Sequence, residues 1–282
     1  MKLEDRIKSV EEVLIAFPKE AQENYYKNKQ TLEIEMTSSH NSSGTYYVDD
    51  NKIVLKTDKA LEHELFHVAS TDRDRIRTEI SEGIILRDGV TFATSEGYLH
   101  GYGLTEGLVE SLARKTRTKD DFARSFEAYI VDLLISIHGE KLYYYLLTNN
   151  PYRFYKSFNE ENICLICNSL DLYEDIFEEK LPALLSLDSE TTRNAVAIVT
   201  ASMVKDLSNT QTQAITGVIR EYNNYDNPKV TRIEFKKQIE EYFHNSTFLT
   251  DSKLIQAIGT NLRKEIEEIV DTELMQKKRI KQ

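Results

Sequence analysis

An α+β fold, predominantly helical, is what the residue pattern of this 282-residue chain predicts, and two observations carry that expectation. Runs rich in β-branched and aromatic residues fall before residue 94 and stop after Glu110. From Asp120 almost to the end, apolar residues recur at helical spacing instead. Phe122, Phe126, Ile130, Leu133, Leu134 and Ile137 share one face, and Leu254, Ile255, Ile258, Leu262, Ile266 and Ile269 share another. The expected organisation is a sheet-containing region over 1–118 and an all-helical lobe over 119–282.

The elements follow in order. Residues 3–29 read as one or two helices interrupted at Pro18, and Thr31–Met36 as a strand. Ser38–Gly44 is a polar loop. Thr45–Val48 and Lys52–Lys56 flank the turn signal Asp49-Asp50-Asn51, which predicts a hairpin. Thr57 or Asp58 is then placed to cap a helix. Gly83–Arg87 and Val90–Ala93 around Asp88-Gly89 predict a second hairpin. Breaks in the helical half fall near Gly139, Asn149-Asn150-Pro151, Leu181-Pro182 and Asn223–Pro228.

The helix after the first hairpin carries Leu61-Glu62-His63-Glu64-Leu65-Phe66-His67, an H-E-x-x-H sequence. Four residues of α-helix turn through about 400°, so His63 and His67 stack on one face and can grip one metal ion. Glu64 projects beside that face, where a carboxylate can take a proton from an attacking water. Ala60, Leu61, Leu65, Phe66, Val68 and Ala69 leave only a narrow polar stripe, which predicts a largely buried helix. Buried imidazoles need partners, and a metal satisfies both.

A second acidic cluster lies in Gly103–Ala113. Leu104, Leu108 and Leu112 form an apolar stripe, while Glu106 and Glu110 stand four apart on another face. Like charges at that spacing repel unless a positive group lies near them. Zinc supplies one, with Glu106 as a third ligand and Glu110 accepting a hydrogen bond from the outer nitrogen of a ligating histidine. The competing reading is a solvated acidic helix start favoured by the macrodipole.

On these residues the chain resembles the gluzincin branch of the zincin metallopeptidases, thermolysin-like in ligand logic. There H-E-x-x-H is followed by a second helix with E-x-x-x-D or E-x-x-x-E, often inside N-E-G-x-T-E; here the second element is T-E-G-L-V-E. Bacterial proteins with comparable spacing share the pattern. The resemblance covers residues 40 to 116 and implies a zincin-like fold with one Zn²⁺ ion held by His63, His67 and Glu106. It further implies Glu64 as general base and then acid, Glu110 as a partner behind a ligand, a peptide or protein substrate, and a helical lobe completing the cleft. Two residues depart from the pattern: Thr105 stands where the family often has Asn, and Val109 where a small hydroxyl or Thr is common. The separation between His67 and Glu106 is also long, and the second hairpin occupies it. A catalytically weak or inactive zincin-like scaffold serving protein interaction is the alternative these departures suggest. Hydrolysis of a bond other than a peptide is a third reading. A metzincin is excluded, because Ser70 and Arg73 occupy the positions of its glycine and third histidine.

Composition limits the remaining classes. With 47 acidic against 36 basic residues and a net charge of -11, the chain is a poor nucleic-acid binder. No apolar run approaches membrane-spanning length, and the segment Met1–Lys8 lacks a signal-peptide core, so a cytoplasmic location is expected, although a trimmed exported protein reads the same way. The only two cysteines, Cys164 and Cys167, are expected as small buried residues of an apolar helix rather than a redox or metal pair. His100, Tyr102, His138, Tyr143–Tyr145 and Tyr152 are candidates for stabilising an oxyanion, none of them singled out.

Overall fold

The computed structural model describes residues 3–39, 42–78, 80–81, 84–94, 99–116, 126–176, 193–245 and 262–274. It is α+β and mostly helical, as the pattern predicts. The chain divides into two compact units, residues 1–131 with 140–157, and residues 132–139 with 158–282. The pattern places the division at 118/119; here the sheet-containing unit extends to residue 131 and takes in 140–157 as well.

In the first unit, helix α1 (Leu3–Leu14) and helix α2 (Lys19–Lys29) are separated at Pro18, which occupies the N-cap of α2. A mixed three-stranded sheet follows, ordered β1 (Glu33–Met36), β3 (Lys52–Leu55), β2 (Gly44–Tyr47). Strands β2 and β3 form the expected antiparallel hairpin, with Asn51 in the left-handed region at φ 53°. The parallel pairing of β1 to β3 was not visible in the sequence. The end of β1 and the start of β2 both stand beside Leu55, at the same end of the central strand.

The H-E-x-x-H helix, α3 (Leu61–Ala69), packs against α1, α2 and β2. Its entry differs from expectation. Thr57 and Asp58 make no side-chain cap; a 3₁₀ turn over Asp58–Ala60 leads into the helix instead, and Asp58 lies 3.5 Å from Arg6. The anchor of this end is a buried ion pair. Arg6 of α1 grips Glu62 with two nitrogens, Nε at 2.6 Å from Oε1 and Nη2 on Oε2, and both residues are buried. The far end is held by Asn28 of α2, whose amide donates to the carbonyls of Val68 (3.0 Å) and Thr71 (2.7 Å). These bonds take up acceptors left unpaired where a helix ends.

A short helix α4 (Arg73–Thr78) leads to an antiparallel meander of β4 (Ile80–Ser81), β5 (Ile84–Leu86), β6 (Phe92–Thr94) and β7 (Leu99–His100). The expected second hairpin is β5–β6, with Gly89 at φ 57° in its tip. Helix α5 (Tyr102–Arg114) then returns beside α3. Gly107 permits its close approach to helix α6 (Phe126–His138), since a Cβ there would meet the Glu127 carbonyl oxygen at 2.6 Å. Helices α7 (Lys141–Leu147) and α8 (Pro151–Tyr155) complete the unit, and Asn149 between them is left-handed at φ 49°.

The second unit is helical among its described residues: α9 (Glu160–Glu174), the 32-residue α10 (Arg193–Asn224), α11 (Arg232–Asn245), and helical residues 262–269 ending in a π turn over Val270–Leu274. Cys167 of α9 is buried as expected, whereas Cys164 is exposed; neither is in a disulfide. The stripe residues Phe122, Leu254, Ile255 and Ile258, and the break at Leu181-Pro182, lie outside the described residues. No described helix is long and apolar enough to cross a membrane.

Candidate metal centre

Helix α3 is buried along almost its whole length, because Leu61, Leu65, Phe66, Val68 and Ala69 each have at most 1 % of their surface exposed. That apolar grip fixes the helix rotation and so the direction of the remaining stripe. His63 and His67, one turn apart, bring their Nε2 atoms within 3.1 Å of each other. Glu106 of α5 meets both, with Oε2 at 3.0 Å from His63 Nε2 and Oε1 at 3.3 Å from His67 Nε2. All three predicted ligands therefore converge on one point, and they are the only such group of metal-ligating side chains among the described residues.

The outer ring nitrogens are occupied. Glu110 Oε2 lies 3.1 Å from His63 Nδ1, the role the sequence pattern anticipates for it, and Arg114 Nε lies 3.5 Å from the other Glu110 oxygen. On His67 the corresponding place is taken by Asp88, whose Oδ2 is 2.8 Å from Nδ1. In the sequence Asp88 is marked only as a turn residue. Asp-Gly marks a hairpin tip, and nothing local reveals that the tip reaches a histidine 21 positions earlier.

This arrangement fits a metal. With each Nδ1–H donating outward to a carboxylate, both Nε2 atoms present lone pairs inward, beside a carboxylate that is itself only an acceptor. Three acceptors facing one another need a cation. Ligands placed tetrahedrally on zinc, at about 2.0–2.2 Å from the ion, lie roughly 3.3–3.6 Å apart; here the two Nε2 atoms are 3.1 Å apart, and one atom from each of the three residues falls within 4.8 Å of the others.

The electrostatics agree. Burial works against charge on His63, yet its hydrogen bonds to Glu106 and Glu110 prevail and push the imidazole up to about 9. His67 is likewise raised, burial being outweighed by the Glu106 charge and the Asp88 bond. Glu106, although buried, is held well below the usual carboxylate range by the two histidines. Positive charge is thus favoured at this point in whatever form it comes.

Glu64 is buried beside the cluster. Burial pushes its carboxyl up, against the lowering influence of His63 and His67 and of a hydrogen bond from the Tyr46 backbone. The carboxylate lies against β2, where a Cβ on Gly44 would stand 2.9 Å from Oε1. Gly44, read as the end of a loop, is what leaves that space.

The oxyanion candidates separate. Tyr143 is buried and hydrogen-bonded to Ser111 at 2.7 Å, and His138 is engaged with Glu221 at 3.0 Å within the second unit. His100 stacks on Phe92 with ring centroids 5.4 Å apart. Tyr102 and Tyr152 are exposed. Thr105, a departure from the family pattern, is fully buried with its hydroxyl in use. Val109 is buried in the apolar face of α5. No protein-family model, curated protein or solved structure matches the chain.

Proposed function

We propose that the chain is a zinc-dependent hydrolase of zincin type acting on peptide bonds. The observation that carries the reading is the convergence of His63 Nε2, His67 Nε2 and the Glu106 carboxylate, each imidazole backed by its own carboxylate. Zinc bound by these residues supplies a Lewis acid that acidifies water and polarises a carbonyl.

The remaining work belongs to the chain. Glu64, with its carboxyl raised by burial, takes a proton from the attacking water and delivers it to the departing amine. Its contacts with Tyr46 and Gly44 hold it against β2. That strand is an edge of its sheet, paired only with β3 among the described residues, and it packs on α3. An extended peptide can add to such an edge through main-chain hydrogen bonds, which favours a peptide over other substrates.

Glu64→Gln is expected to keep stoichiometric zinc while losing chelator-sensitive cleavage of a broad peptide library. Cleavage by that variant at the wild-type rate overturns the assignment of Glu64. Tight zinc binding by the wild-type protein with no peptide cleaved leaves the scaffold reading.

A further inference from the structure

The β5–β6 hairpin lies in the long interval between His67 and Glu106, and its tip, buried at Val90 and Thr91, is held by several hydrogen bonds. Gly89 N–H donates to the Ser70 carbonyl at the end of α3, 2.8 Å away. The Asn149 amide donates to the carbonyls of Arg87 and Gly89, both at 2.7 Å. Tyr155 hydroxyl donates to the Val90 carbonyl at 3.2 Å. Thr105 closes the set, its hydroxyl oxygen accepting from Val90 N–H at 3.1 Å and from the Thr91 hydroxyl at 2.8 Å. Four elements therefore fix one five-residue loop.

What the loop presents is Asp88. We propose that the hairpin is the device that orients His67 for metal binding: Asp88 holds the proton on Nδ1 and so directs the Nε2 lone pair at the ligand point, and Thr105 anchors the hairpin that carries Asp88. The inference rests on the metal reading above and adds two positioning residues to it. The long interval and the threonine at 105 become one feature, because the residue directly before the ligand Glu106 is the one that docks the hairpin. Space confirms the fit. A Cβ on Gly89 would lie 2.7 Å from Thr105 Cγ2, so the glycine at the tip is what lets the hairpin seat this closely on Thr105.

The test measures zinc affinity by competition with a chromophoric chelator, on the full chain, for wild type, His63→Ala, Asp88→Ala, Asp88→Asn, Thr105→Val, Thr105→Ser and Thr105→Asn, with circular dichroism to confirm folding. Loss of a group behind a ligand weakens metal binding about 10- to 100-fold, and that loss is expected for Asp88→Ala. Asp88→Asn, whose amide oxygen still accepts from Nδ1–H, loses less. Thr105→Val and Thr105→Asn weaken binding, and Thr105→Ser restores it to within about threefold, well short of the loss expected for a missing outer partner. Nitrogen-15 spectra of labelled histidine in the zinc-loaded protein should show the His67 proton on Nδ1 in wild type and an altered Nδ1 signal in Asp88→Ala, which a change in general stability does not produce. Zinc affinity of folded Asp88→Ala equal to wild type, with His63→Ala abolishing binding, overturns the hairpin's role and leaves the metal centre standing. Equal binding by wild type and His63→Ala overturns both.

Discussion

Two buried histidines in this molecule meet glutamates, and their surroundings differ in one respect that decides what each can do. In the second unit, His138 Nε2 lies 3.0 Å from Glu221 Oε1, and the other Glu221 oxygen accepts from the Asn159 backbone N–H at 3.2 Å and the Asn162 amide at 3.0 Å. The ring is flanked by Phe158 and Tyr225, with centroids 4.4 and 4.3 Å away. That carboxylate is supplied with donors. In the first unit, His67 has carboxylates on both ring nitrogens and a second imidazole facing its Nε2. There, with each Nδ1–H donating outward, the two Nε2 lone pairs and the Glu106 carboxylate face one another, and only a cation, a proton or a metal ion, brings them together. Counting donors against acceptors thus separates a structural network from a cation site, where residue type alone does not: both clusters are histidine with glutamate.

The comparison breaks most readily through the ligands. His63→Ala or Glu106→Gln is expected to weaken zinc binding well beyond the roughly 100-fold that outer partners command, measured by metal analysis after dialysis. Stoichiometric zinc retained by either variant removes the distinction. Glu221→Gln should do the reverse, leaving zinc affinity unchanged while lowering unfolding stability by about 3 kcal/mol, since it removes a buried carboxylate that accepts from Asn159 and Asn162 and turns a donor toward other donors. Urea melts of the zinc-loaded protein read this directly.

A smaller effect sharpens the cation requirement. His63 is raised to about 9 in the metal-free chain, so at pH 7 zinc must displace its proton. Affinity should therefore fall about tenfold per pH unit below 9 for each proton displaced. Calorimetry in buffers of differing ionisation enthalpy should show proton release at pH 7, and binding without release contradicts the raised imidazole. The smallest expected change concerns space. Gly44→Ala places a Cβ against Glu64 Oε1 and should lower kcat about tenfold, within the range a misplaced catalytic group costs, with zinc affinity intact; an unchanged kcat indicates that Glu64 does not need this position.

Much of the centre was legible because it is local. His63, Glu64 and His67 follow from helical spacing, as do Glu106 and Glu110, and the apolar residues between them predict which face is buried. Asp88 was visible as a residue and invisible as a partner, because a hairpin tip can point anywhere until its anchors are known. Arg6 and Glu62 escaped for the same reason: an isolated arginine on an amphipathic helix reads as solvated, and only packing puts it on the glutamate before His63. The helix cap was misread because Thr57 and Asp58 have the right chemistry at the right place, and a 3₁₀ turn with a neighbouring arginine used them differently.

By itself the sequence determined the α+β class, both hairpins, and the two helices of the candidate site with the five side chains they bring to it, since each depends on periods of two or 3.6 residues within one segment. The tertiary structure alone decided that the two motifs meet, that β1 pairs in parallel with β3, that Asp88 reaches His67, that Gly44 lies against Glu64, and that Thr105 holds the hairpin carrying Asp88. Those facts depend on which distant segments share a buried boundary, and burial is a property of the whole unit rather than of any stretch of it.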